Sequence, residues 1–157
     1  MSATLARIQH ASEFSSQFEY LLATARNSAA LEGLNYAGDV TPRQAWALFS
    51  AGFAEILDVR TYGELQQVGY VQDAVHVEWL SGPQMQQNPH FIKQLKLLGK
   101  NDNIILLLCR SGKRSVAAAE ALSKAGFSNI FNIQEGFEGD GRPGSGWLKQ
   151  GLPAAHN

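Results

Sequence analysis

An α/β fold with a mainly parallel central sheet and helices on both faces is what this sequence predicts. Three observations carry that expectation. Short apolar runs alternate with segments of helical spacing, the pattern of successive βαβ units. The strongest strand, Ile104-Ile105-Leu106-Leu107-Leu108, shows no polar alternation, so both of its faces are covered, as in a central parallel strand. A chain of 157 residues is long enough to bury one full core and short enough to be one domain.

The elements follow in order. Phe14, Phe18, Leu21, Leu22 and Ala25 recur at helical spacing, with Ser12 as the expected N-cap. That apolar stripe is expected to dock on the rest of the molecule, a partner-binding helix being the alternative. Residues from about Ala29 to Asp39 read as a connection. Thr41 caps a helix with Pro42 in its first position, where a missing N–H costs nothing. Ala45, Trp46 and Phe49 face inward, and Gly52 ends the helix. Glu55-Ile56-Leu57-Asp58-Val59 is a short buried strand, and Ala74-Val75-His76-Val77 is another. Pro83 opens a region in which Phe91, Ile92, Leu95 and Leu98 have helical spacing, closed near Gly99. Ser115 to Lys124 is an alanine-rich helix with Gly126 just past its end, and Asn129 to Ile133 returns as a strand. From Gly136 to Gly151 the chain is glycine-rich and forms a loop.

Composition narrows the function. A formal net charge of -1 gives no reason to expect nucleic acid or a membrane surface as partner. The first thirty residues carry Arg7, Glu13, Glu19 and Arg26 and no secretory core, and the longest apolar run is far too short to span a bilayer. The single cysteine excludes an internal disulfide and points to a reducing, cytoplasmic compartment. The histidines at 10, 76, 90 and 156 are scattered, so neither a metal site nor a cofactor is expected.

One segment carries chemistry: Cys109-Arg110-Ser111-Gly112-Lys113-Arg114. It joins the best strand to the next helix, and ligands of parallel sheets bind beyond the carboxyl ends of strands. Backbone N–H groups of a tight loop and of a helix N-terminus make an anion site. Three cations reinforce it, and Gly112 supplies the backbone freedom. Such surroundings favour a thiolate over a thiol. A lone cysteine is more often an inert core filler. An inert filler has no need of three cations and a glycine in the five residues after it. The other bland reading is a plain anion-binding loop with an incidental cysteine.

These residues resemble the rhodanese family. The strand 104–108, the six-residue loop from Cys109 to Arg114 and the small-residue helix from Ser115 to Leu122 are similar to its active segment. Leu57-Asp58-Val59-Arg60 with Glu64, the stretch Gly69 to Val77, and Gly136, Trp147 and Gly151-Leu152-Pro153 resemble its other conserved pieces, in the same order. The likeness spans about Val40 to Pro153, so residues 40–157 read as the domain and 1–39 as a helical extension packing on it. Tyr70, Gln72 and Asp73 stand where the family has histidine, proline and glycine.

The resemblance implies a three-layer sandwich and a sulfurtransferase. In it Cys109 takes sulfur from a small anionic donor such as thiosulfate, and the resulting persulfide passes it to cyanide or a thiol. Residues Arg110, Ser111, Gly112, Lys113, Arg114 and Ser115 would bind the substrate. With no second cysteine, the acceptor thiol comes from another molecule, small or protein; oligomeric state stays open. Asp58, Arg60 and Glu64 would support the fold, Arg60 pairing with Glu64 and Asp58 holding the base of the loop. Glu78 and Trp79 either reach the pocket rim or serve ordinary packing, and His76 reads as structural. The longer loop between Gly136 and Trp147 could overhang the site.

Two rival readings differ in class. A cysteine phosphatase of the dual-specificity cell-cycle type shares this fold but needs five residues between cysteine and arginine; here Arg114 follows after four, and Ser115 cannot grip an oxyanion as arginine does. A non-catalytic rhodanese-like binding module usually lacks the cysteine.

Overall fold

The computed structural model describes residues 3–157, with side chains described from Ser15 onward. Five parallel strands form the sheet in the order β1-β7-β6-β2-β3: β1 Gly38–Val40, β2 Glu55–Asp58, β3 Val75–His76, β6 Ile105–Leu108 and β7 Ile130–Ile133. A separate antiparallel hairpin pairs β4 Leu80–Ser81 with β5 Gln86–Gln87. The helices are α1 Ala3–Glu32, α2 Pro42–Ser50, α3 Tyr62–Val68, α4 Phe91–Leu97 and α5 Arg114–Lys124.

The unbroken apolar run of β6 has the reason the sequence suggests. Ile105 and Leu107 enter a core shared with Phe91 and Leu95 of α4 and Ala118, Ala119 and Leu122 of α5. Leu106 and Leu108 enter the opposite core, with Leu22 of α1 and Ala45 and Leu48 of α2. Every residue of β6 is buried. Cys109 continues the α5 side of this alternation, so strand periodicity alone aims its side chain at the start of α5.

Several expectations are corrected. The first helix begins at Ala3, so Ser12 lies inside it and caps nothing; the residues before Ser12 include Ala, Leu, Arg and Gln, which propagate helix well. Phe14's side chain lies outside the described residues. Leu22 is buried in the core, and the Phe18 and Phe53 rings are 5.3 Å apart. The helix runs on to Glu32, and 38–40 is an edge strand, so the stretch 29–39 is only partly a connection. A Cβ on Gly38 would meet the Ala25 carbonyl oxygen at 2.7 Å, which is why α1 lies so close to β1. In α2, Leu48 is wholly buried while Trp46 and Phe49 are half-buried. Thr41 caps α2 with a full capping box to Gln44. The hairpin β4–β5 fills the region assigned to the approach to α4. Among the described residues, no helix is long and apolar enough to cross a membrane.

Candidate active site

Cys109 sits at the carboxyl end of β6 and is wholly buried. The Gly112 N–H donates to its sulfur at 3.1 Å. Gly112 has φ 93°, a conformation natural only to glycine, and this curl brings its amide over the sulfur. The sequence anticipates a circle of such donors; among the described residues, Gly112 supplies the one backbone amide on the sulfur. On its other side, Ser115 Oγ lies 3.1 Å from Sγ.

Ser115 belongs to a buried polar chain that the sequence reading missed. Asn132 is the one polar residue of β7, and register places it beside Leu107, on the Cys109 side of the sheet. Its Nδ2 donates to Asp39 at 3.3 Å and to the Gly112 carbonyl at 3.5 Å. That fixes Oδ1 toward Ser115, whose hydroxyl donates to it. Tyr36 in turn donates to Asp39 at 2.8 Å. Burial first, and then the Asp39 carboxylate, push the Tyr36 hydroxyl above its ordinary range. The sequence signal was present: an amide in an otherwise apolar buried strand demands a partner.

The loop is shaped from behind. The Phe137 N–H donates to the Cys109 carbonyl at 2.8 Å and the Glu138 N–H to the Arg110 carbonyl at 2.9 Å. Gly136, with φ 68°, makes that approach possible, because a Cβ there would lie 2.5 Å from the Arg110 carbonyl oxygen. Phe137 and Trp147 anchor this backing in the core. The segment after Gly136 is thus packed against the active loop, and it supplies Glu138 to the site.

The charges pair differently from expectation. Arg60 does not pair with Glu64. Its fully buried guanidinium binds Asp58 through Nε at 2.9 Å and Nη2 at 2.6 Å, donates to the Gly69 carbonyl, and lies 4.1 Å over the Phe137 ring. The Asp58 carboxylate therefore holds Arg60, which lies over the Phe137 ring behind the loop. Glu64 and Arg114 form a bidentate pair, both contacts 2.7 Å. Glu64 also accepts the Thr61 N–H in a capping box at the start of α3. Burial alone would push the Glu64 carboxyl up; Arg114 and the Thr61 amide outweigh it and hold the carboxyl down to about 2. The same pairing raises Arg114 above its ordinary value.

Arg110 pairs with Glu138 at 3.2 Å, its side chain 65% exposed. Lys113 is exposed at the start of α5, and Ser111 is half-buried. Arg110, Arg114, Glu64 and Glu138 line a cavity of about 350 Å³, with Met85 of the hairpin and Val68 of α3 as its apolar wall. His76 donates from Nε2 to the Arg60 carbonyl at 2.7 Å, Glu78 accepts the Tyr62 N–H, and Trp79 packs edge-on against Phe91. None of the three lines the cavity. Among the described residues, no three His, Cys, Asp or Glu side chains gather as metal ligands would.

The site can hold a soft nucleophile between one amide and one hydroxyl, at the head of a loop whose Arg110 and Arg114 line a cavity with Glu64 and Glu138. Residues 41–140 match the rhodanese-like domain. The chain is 38% identical over 104 residues to "Uncharacterized protein RP600" of Rickettsia prowazekii, covering 64% of this chain and 81% of that one. It is 38% identical over 100 residues to "Thiosulfate sulfurtransferase 16, chloroplastic" of Arabidopsis thaliana, covering 62% and 76%. Its fold is similar to the crystal structure of Rv0390 from M. tuberculosis, with a TM-score of 0.68 and 34% identity over 78% of this chain and 99% of that one.

Proposed function

Because the chain belongs to the rhodanese-like domain family, we propose that it is a sulfurtransferase carrying sulfane sulfur as a persulfide on Cys109. One observation carries the reading. The only cysteine opens a six-residue loop ending at Arg114, with the Gly112 amide donating to its sulfur. An N–H so placed stabilises negative charge on that sulfur.

The Cys109 thiolate attacks the outer sulfur of thiosulfate. A new S–S bond forms, the old one breaks, and its electron pair leaves with sulfite. An acceptor then attacks the outer sulfur of the persulfide and returns the electron pair to Cys109, completing a double displacement. A phosphatase reading fits poorly: position 115 is a buried serine bound to Sγ and to Asn132, not an arginine open to an oxyanion.

The intact mass of the protein after exposure to thiosulfate tests this. The expected result is a gain of one sulfur atom, removed by cyanide and absent in Cys109→Ala. A protein that gains no sulfur, or a Cys109→Ala variant that still gains it, would overturn the assignment.

A further inference from the structure

Hydrogens can be counted along the buried chain that leads away from Cys109. Asn132 Nδ2 faces two groups that only accept, the Asp39 carboxylate and the Gly112 carbonyl. Its Oδ1 is therefore the end turned to Ser115. A serine has one hydroxyl hydrogen, and that amide carbonyl takes it. The same hydrogen cannot also serve the Cys109 sulfur, although Oγ lies only 3.1 Å away. That contact closes the other way, with the thiol donating to Ser115.

When Cys109 ionises, its proton leaves to solvent, and one hydrogen remains for the two contacts of Ser115. If the hydroxyl stays on Asn132, an oxygen lone pair faces an anionic sulfur. If it turns to the sulfur, it makes a charge-assisted bond, roughly twice as strong as a neutral one. The Asn132 oxygen is then left without a donor inside the protein. Ser115 is wholly buried and Asn132 nearly so, so bulk water repairs neither choice. Asn132 itself is held from behind: Asp39 lies on β1, the neighbour of β7, and also accepts the Tyr36 hydroxyl.

We propose that Asn132 is a positioning residue for the nucleophile: it holds the Ser115 hydroxyl away from the resting Cys109 sulfur, so that a second donor reaches the sulfur only by deserting the Asn132 carbonyl. The Gly112 amide is the first donor. The inference takes Cys109 as the nucleophile, as the sulfurtransferase reading does. The charged groups facing this chain come from several elements. Arg114, at the start of α5, interacts with Cys109 and with Asp58 of β2. Asp39 ends the chain on β1, and Glu32 of α1 and Glu120 of α5 act on Tyr36. Arg110 and Lys113 of the loop are largely exposed. A change at position 132 leaves all of these charges in place.

Asn132→Leu removes the competing acceptor at similar size and frees the Ser115 hydroxyl for the sulfur. Ionisation of Cys109 is followed by thiolate absorbance in the ultraviolet, with Cys109→Ala as the blank, since the chain has one cysteine. The midpoint should fall by about one pH unit from wild type, about a tenfold change in the ratio of thiol to thiolate. In a Ser115→Ala background the same substitution should move it by less than about 0.3 unit. A midpoint that stays or rises in folded Asn132→Leu, or an equal fall in the Ser115→Ala background, would overturn the proposal. The infrared S–H band of wild type, recorded below the midpoint, tests the same geometry with Asn132 unaltered. It should lie at lower wavenumber than the band of Ser115→Ala, because a thiol that donates to oxygen has a weakened S–H bond. Coincident bands would overturn the proposal even where Asn132→Leu fails to fold. Failure to take sulfur from thiosulfate bears on the sulfurtransferase reading alone, because none of these readouts involves sulfur transfer.

Discussion

Replacing Glu64 with glutamine removes one charge from the cavity while keeping an oxygen that can still accept the Thr61 N–H, so the capping box of α3 survives. What is lost is the bidentate pair with Arg114. Folding holds the Glu64 carboxyl at about 2, against an ordinary value of 4.5. Taken at face value, that difference corresponds to about 3 kcal/mol. Both side chains remain about one-fifth exposed, so water screens the pair, and about 1–2 kcal/mol is the expected share. Because the folded value is depressed, the contribution is fully present above 4.5 and fades as pH falls toward 2. Urea unfolding of wild type and Glu64→Gln should therefore show a gap of about 1–2 kcal/mol at neutral pH that closes on acidification. A gap absent at neutral pH, or one that stays constant down the acid range, would show that the pair contributes nothing as an ion pair.

Gly136→Ala should destabilise the protein by about 2–4 kcal/mol in the same assay, since the new methyl meets two backbone carbonyls in a conformation alanine resists; a loss under 0.5 kcal/mol would mean that the backing segment yields easily. Ser115→Ala leaves the buried Asn132 oxygen without its donor and should cost about 1–3 kcal/mol of stability. It should also slow sulfur loading measured by mass, and an unchanged loading rate would remove Ser115 from the site's workings.

The parts of the fold that were legible rest on local chemistry. The uninterrupted run Ile104 to Leu108 announced a strand covered on both sides, and its cores bear that out. Thr41-Pro42 announced a helix start. The edge strand β1 was missed because three residues, Gly38-Asp39-Val40, are too few to show a period, and only its pairing with β7 makes them a strand. Helix α3 was missed although Thr61 and Glu64 have the spacing of a capping box. The hairpin β4–β5 has two-residue strands of largely polar residues and no pattern to read. At the site, the cysteine and its cations are contiguous in sequence and could be found there. The carboxylates that pair with two of those cations, Arg110 and Arg114, come from distant segments, Glu64 lying fifty residues before Arg114. Such partners are set by where two loops end in space, which no local spacing records.

The backing of the active loop by Gly136, Phe137 and Glu138 bears on how this chain can change. Two consecutive carbonyls of the loop are committed to two consecutive amides behind it, like adjacent teeth of a zip. An extra residue inserted into the loop could not be absorbed by bulging forward alone. It would put the carbonyls beyond the insertion out of step with their donors and press new atoms against the spot where only a glycine fits. A longer loop, of the kind that could enclose a tetrahedral oxyanion, would thus need a matching change some twenty-five residues downstream. The span of the loop is a joint property of two segments, and a single insertion is expected to unseat it before it confers a new chemistry.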